Sequence, residues 1–303
     1  MKIVTYNFRN LFDVGTAINH YTPFVISPEF VDGMIDNILM NISKIQPDVL
    51  AAQEIGSPKL FERIASQATP SYNFFIADGD PRGIANGVLF RDQAETKSLA
   101  DVFTLTTFVQ GNEDTIGKNI SNYRHFAYLK TDYAGRPLHI IAIHLKSGIG
   151  IPQKNELGEK IPIITQLDSA DATIRASIFK LAQARQLRSI TDEILKQNAD
   201  AQIIILGDFN ATEWSDVLKI IKGGIDEQAN QLINACEQVP SEKRFSHMGR
   251  GNKRLIDHIL ITKNLVEKIT NVEILNEYLQ DQEQMPADTT FESDHAPVVL
   301  TLL

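Results

Sequence analysis

With 303 residues, 43% of them hydrophobic, the chain can bury a large core, and it has no low-complexity run. The lone Cys236 excludes an intramolecular disulfide and a cysteine-based metal site. A net charge of −9 excludes holding nucleic acid by a broadly basic surface and leaves only a local basic rim for that purpose.

Apolar, β-branched residues from Lys2 to Tyr6 predict a first strand directly after Met1, with no signal peptide ahead of it. A cytoplasmic location is the default expectation, or a secreted one if a leader has been trimmed. Phe30 to Ile45 carries Val31, Met34, Ile35, Ile38, Leu39 and Ile42 at spacings of three and four, a helix whose stripe should face a sheet. Strands follow at Val49 to Gln53, Gly87 to Phe90, His125 to Lys130 and His139 to Leu145. Gly148 to Leu167 lacks periodicity and reads as an excursion loop, and Ser169 to Gln197 as one or two helices. Further strands are Gln202 to Leu206, Leu255 to Ile261 and Val298 to Leu303, with an acidic irregular segment at Asn276 to Glu292. The longest apolar runs are strand-sized, so no stable membrane insertion is expected. No linker-like composition shift or internal repeat divides the chain, which predicts a single domain over 1–303 and a monomer. Alternation of strands and helices, taken alone, points to a doubly wound parallel sheet.

Polar residues recur where these apolar strands end. Asn7 follows Ile3-Val4-Thr5-Tyr6, Glu54 follows Val49 to Gln53, and His144 sits within Ile140 to Lys146. Asp208 and Asn210 close Ile203 to Leu206, Asp257 sits within Leu255 to Ile261, and Asp294-His295 precedes the last strand. Each alone has a plain structural explanation: a turn residue, a helix cap, a solvated charge or a core histidine. Burying carboxylates, an amide and imidazoles repeatedly at strand ends costs several kilocalories per mole unless a metal or mutual hydrogen bonds satisfy them.

Seven segments in order, Thr5-Tyr6-Asn7, Gln46 to Glu54, Asn86 to Phe90, Ile143 to Lys146, Leu206 to Asn210, Ile256 to Leu260 and Ser293 to Pro297, resemble the signature of the endonuclease/exonuclease/phosphatase superfamily. That resemblance spans nearly the whole chain. It implies an α/β (α+β) fold, a four-layer αββα sandwich of two mostly antiparallel sheets flanked by helices. It implies metal ligation by Asn7, Glu54 and Asp294, with Mg²⁺ as cofactor and Mn²⁺ as an alternative, since both favour oxygen ligands. It further implies water activation shared by Asp208, oriented by Asn210, and the Asp257/His295 pair, with His144 on a phosphate or leaving-group oxygen. Some relatives support such a histidine with a carboxylate from the region Asn73 to Arg91, where Asp78 and Asp80 are the candidates.

Phosphate contacts are expected from Arg124 and from Lys146, two residues beyond His144. The acid-free run Lys243 to Arg254 adds Arg250, Lys253 and Arg254 at the pocket rim. Together with His144-Leu145-Lys146-Ser147 and Ala182-Gln183-Ala184-Arg185, it favours a nuclease acting on DNA or RNA. A lipid-phosphate hydrolase, for which Thr104 to Val109 is the one apolar candidate segment, and a catalytically silent binding module are the alternatives.

Overall fold

The computed structural model describes residues 1–18, 24–100, 102–103, 120–121, 124–223, 230–281 and 290–303; Thr104 to Val109 and part of Asn276 to Glu292 lie outside them. In chain order the principal strands are β1 (Lys2–Leu11), β2 (Val49–Ile55), β3 (Asn73–Ile76), β4 (Ala85–Phe90), β5 (Glu95–Leu99), β6 (Phe126–Tyr133) and β7 (Arg136–His144). They continue with β8 (Gln202–Asp208), β9 (Leu232–Asn234), the hairpin β10 (His247–Gly249) and β11 (Asn252–Arg254), β12 (Asp257–Thr262), β13 (Ile269–Ile274) and β14 (Val298–Leu302). The α-helices among the described residues are α1 (Pro28–Ile45), α2 (Pro58–Gln67), α3 (Gln166–Gln197) and α4 (Asp216–Lys222).

Two six-stranded sheets, ordered β13-β14-β1-β2-β4-β3 and β9-β12-β8-β7-β6-β5, pack face to face, with helices on both outer faces. This is the four-layer sandwich, not the doubly wound parallel sheet that strand–helix alternation suggests. Among the described strands only β1/β2 and β7/β8 pair in parallel, and these are the two places where a long helix, α1 or α3, carries the chain back to the starting edge. Neighbouring pairs are antiparallel.

Ser27 caps α1 by accepting from the Phe30 amide at 3.2 Å, with Pro28 in the first turn. Its buried stripe of Val31, Met34, Ile35, Ile38 and Ile42 packs on Val4, Tyr6, Phe8 and Leu50 of the first sheet. Thr165 and Asp168 form a capping box, so α3 starts two residues inside the predicted loop and runs as one helix of 32 residues. Ala184 and Leu187 dock it on Ile141, Ile143, Ile203 and Ile205 of the second sheet. Among the described residues, no helix is long and apolar enough to cross a membrane.

Strand alternation decides where the polar strand ends point. Ile3, Leu138, Ile140, Ala142, Ile204, Leu206, Ile259 and Ile261 fill the core between the sheets. Counting by twos along the same strands leads to Asn7, His144, Asp208 and Asp257, so all four emerge at one end of that core. His258 has the opposite parity and is a core histidine. It packs edge-on against Phe209, its Nε2 faces the Ala211 carbonyl at 2.9 Å, and its Nδ1 faces the Asn234 amide at 3.1 Å.

Gly207 pinches the site end of β7/β8. Its φ is +148°, and a Cβ there would lie 1.9 Å from the Ile143 carbonyl oxygen. Gly207→Ala is therefore expected to cost at least about 3 kcal/mol in urea unfolding, and a loss below about 1 kcal/mol would contradict the pinch. Burial pushes the His258 pKa down to about 4, because the fold accommodates the neutral ring. A depressed folded value means that this stabilisation is complete above the unfolded value of about 6.5 and is lost as pH falls toward 4. We expect His258→Gln to reduce the drop in unfolding free energy between pH 6.5 and 4.5; an unaltered drop would assign it to other groups.

Candidate active site

The site forms where the two parallel pairs end. His144 lies opposite Asp208 in the β7/β8 register, and Asp208 lies opposite Asp257 in β8/β12, so three titratable groups stand side by side on adjacent strands. Two carboxylates directly opposite each other on one face repel. His295, brought by the segment before β14, stands between them, with Nδ1 2.8 Å from Asp257 Oδ2 and Nε2 3.9 Å from Asp208 Oδ2.

The opposite sheet supplies Asn7 and Glu54. The Asn7 amide donates to Asp208 Oδ2 at 3.2 Å and to Glu54 Oε1 at 3.4 Å, stitching the sheets together. Regular alternation would send Glu54 to the helical side, since Val49 and Ala51 face the inter-sheet core. A φ of +62° at Glu54, with register shifts on both flanks of β2, turns the carboxylate back. It then accepts from the Asn10 amide at 2.9 Å and stands 3.9 Å from His144 Nε2. Arg9, Asn10 and Asn210, all beside the site, are likewise left-handed. Asn210 donates its backbone amide to Asp208 Oδ1 at 2.7 Å and its side-chain amide to Oδ2 at 3.1 Å.

Electrostatics separate the two histidines. Burial, reinforced by Arg124, His295, Arg82 and Lys146, holds His144 well below the usual histidine value, so it is neutral. Burial also opposes charge on His295, but Asp257, Asp208 and Asp294 outweigh it and hold the ring protonated well above the usual range. Burial, with Asp257 and Glu54 adding to it, pushes the Asp208 carboxyl up to about 7 against the pull of His295 and the Asn210 amide. For this coupled pair the proton belongs on His295. Asp294 is half-buried, and its contact with His247 and the charges of His295 and Arg9 outweigh that burial and keep its carboxyl well below the usual range.

Neither Asp78 nor Asp80 supports His144. Asp78 pairs with His125 at 3.0 Å, and Asp80 accepts from Arg82 at 2.8 Å and Arg124 at 2.9 Å; His144 Nδ1 is buried without a hydrogen-bond partner. Arg124 is thus held by Asp80, with its charge acting on His144. Lys146 lies past the end of β7 and turns its ammonium onto the Ile149 carbonyl at 2.6 Å. The basic run closes into the β10/β11 hairpin through left-handed Arg250 and Gly251, a tight two-residue turn. His247 at its base bridges to His295, stacks edge-on against it at 4.9 Å and faces Asp294 at 3.7 Å, which fixes the hairpin at the pocket edge. Arg250, Lys253 and Arg254 are exposed there, with Lys253 4.4 Å above the Phe245 ring.

Sequence reasoning misses Ser246, Ser293, His247 and Lys180. Ser246 Oγ donates to Asp257 Oδ2 at 2.6 Å and accepts the Asp257 amide at 3.0 Å; Ser293 Oγ donates to the Asn7 carbonyl at 2.7 Å and accepts the His295 amide at 3.0 Å. Ser293 begins the last of the seven family segments, and His247 lies within the basic run, whereas nothing in the local sequence marks Lys180. Among the described residues, two groups of side chains have potential metal-ligating atoms within 4.8 Å of one another, Asp208/Asp257/His295 and His247/Asp294/His295.

A family model described as "Endonuclease/Exonuclease/phosphatase family" matches residues 2–285. Truncated Caenorhabditis elegans TDP2 is similar in structure at 15% identity and a TM-score of 0.58, over 99% of this chain and 96% of that one. The human Nocturnin catalytic domain with bound sulfate gives 17% and 0.56, over 99% and 93%. D. rerio TDP2 complexed with a single-strand DNA product gives 15% and 0.57, over 99% and 97%. No curated protein matches the sequence.

Proposed function

Because this chain belongs to the endonuclease/exonuclease/phosphatase family, and is therefore a hydrolytic phosphoesterase, we propose that it is a divalent-metal-dependent phosphodiesterase acting on nucleic acid. The observation that carries this reading is the meeting of Asn7, Glu54, His144, Asp208, Asp257 and His295 at one end of the sandwich, beside an exposed basic hairpin. The DNA product bound to the similar D. rerio TDP2 supports the substrate class.

The residues fit a hard divalent cation. Glu54 and Asp208 converge through Asn7, and Asp208 is pushed up to about 7 by burial and by the neighbouring Asp257 and Glu54, an excess of negative charge that a cation relieves. Glu54, Asn7 and Asp294 would hold Mg²⁺, or Mn²⁺, which when bound supplies charge neutralisation to the phosphate. The protein's own groups do the rest. Asp208, fixed by Asn210 and Asn7, orients the attacking water and accepts its proton. The imidazolium of His295, held by Asp257 and through it by Ser246, keeps Asp208 ionised and stabilises charge growing on the phosphate. His144 is neutral, so in the tautomer that carries Nε2–H it offers a hydrogen bond to a nonbridging or leaving oxygen.

A lipid-phosphate substrate is the second reading, favoured by exposed Ile149, Leu157, Ile164 and Leu167 on the segment that follows His144. Plasmid DNA, RNA, bis(p-nitrophenyl) phosphate and phosphodiester-lipid vesicles, each with Mg²⁺, Mn²⁺ or EDTA, decide between them. We expect nucleic acid hydrolysis that EDTA abolishes and that Asp208→Ala and His295→Ala each lower by roughly 10³-fold. Hydrolysis of the vesicles alone would select the lipid reading, and full activity in either variant would remove that residue from the chemistry. Neutralising Arg250, Lys253 and Arg254 together should make the slope of log affinity against log salt shallower by about 0.9 for each phosphate that the hairpin neutralises; an unchanged slope would take the hairpin out of substrate binding.

A further inference from the structure

The chain has one tryptophan, Trp214, and it is 81% exposed, although an indole is among the largest apolar groups that a core can bury. Trp214 lies six residues past Asp208 (214 − 208), so the two Cα atoms are at most about 21 Å apart. The chain between them is held throughout. The Asn210 amide donates to Asp208 Oδ1 at 2.7 Å, Lys180 Nζ donates to the Asn210 carbonyl at 2.6 Å, and the Ala211 carbonyl faces His258 Nε2 at 2.9 Å. Thr212 to Ser215 then forms a β-turn, closed by the Ser215 amide on the Thr212 carbonyl at 3.1 Å, with Glu213 and Trp214 at its corners. Ser215 caps α4 by accepting from the Leu218 amide at 3.3 Å, and buried Val217, Leu218 and Ile221 anchor that helix. Glu213 Oε2 stands 3.9 Å from Arg244 Nη1, and Arg244 Nε and Nη2 donate to the Val239 carbonyl at 2.9 and 2.8 Å. That contact ties the turn to the start of the basic run that closes into the β10/β11 hairpin. A backbone pinned on both sides holds the indole out in water instead of letting it fold back onto the apolar surface.

We infer that Trp214 is a stacking platform for an unpaired nucleobase close to the scissile phosphate. The inference rests on the phosphodiesterase reading and narrows its substrate to nucleic acid with unpaired bases, since a base inside a duplex already has both faces covered. An exposed indole face takes any base, of DNA or RNA, with little regard to sequence. The turn that carries it begins at the residues holding Asp208, and the Glu213–Arg244 contact puts it on the same framework as the exposed basic hairpin, which supplies charge for the phosphates on either side of the stacked base. Trp214 positions substrate and takes no part in bond breaking.

Because the tryptophan is single, its emission reports on this position alone and independently of turnover. The full chain is titrated at low salt in EDTA, which keeps the ligand intact, with single-stranded octadeoxyadenylate, with the RNA octamer of the same sequence, and with an octamer of abasic sugars carrying the same phosphates. The base-bearing octamers should quench the emission saturably and the abasic one should leave it unchanged; the octamer that quenches at the lower concentration identifies DNA or RNA as the source of the base. By anisotropy of the labelled octamers, Trp214→Ala should bind the better one at least about fivefold more weakly, the lower end of what one stacked base contributes, with no change for the abasic octamer. Trp214→Phe should recover most of the difference, which separates stacking from folding. Failure of both octamers to bind, binding without quenching, or an Ala variant equal to the wild type overturns the platform. So does a blue shift on phosphatidylcholine vesicles with no response to either octamer, which would assign Trp214 to a lipid surface. Quenching in a protein that hydrolyses no phosphodiester would keep the platform and discard the catalytic reading, whereas nuclease activity without quenching would do the reverse.

Discussion

The hydrogen bond from Asn7 to Asp208 joins residues 201 positions apart, and the site depends on the condition it records: two sheets must end their central parallel pairs at the same edge. Each sheet brings one parallel pair, made parallel by a helical crossover, and each pair delivers its polar residues on the inward parity. Packing of Ile3, Ile140, Leu206 and Ile259 between the sheets therefore sets the distance at which a carboxylate, an amide and two imidazoles meet. Hydrophobic burial does the positioning, and the polar groups sit where that burial stops.

What the site does with its charges follows from which neighbours each group has. His144 and His295 are both buried within a few ångströms of Asp208, yet burial and the charges of nearby cations dominate at His144, whereas three carboxylates outweigh burial at His295. One is kept neutral, the other protonated, by the same depth of burial.

Much of this is legible in the sequence because it depends on parity and strand ends. Asn7, His144, Asp208 and Asp257 can be located by counting along apolar strands, and the stripe of α1 announces its sheet. Glu54 is visible as a residue but not as a geometry, since its left-handed backbone violates the alternation that locates the others. The true pairing of the sheets is hidden, because strand–helix alternation says nothing about which strands lie between the ends of a crossover; the family resemblance supplies it. Lys180 cannot be found at all: a lysine on a mostly exposed helix looks solvated until the fold places Asn210 beside it. The edge strands escape notice for different reasons: Asn73–Ile76 is only four residues long, and Glu95–Leu99 is polar in four of its five residues.

Assembly of the centre from the first strand and the segment just before the last has a consequence for biosynthesis. Asn7 leaves the ribosome long before Asp294 and His295, which lie 287 and 288 residues further along the chain (294 − 7 and 295 − 7). A tethered, partly translated chain lacks the imidazole that stands between Asp208 and Asp257. The cluster is therefore complete only once translation has passed His295.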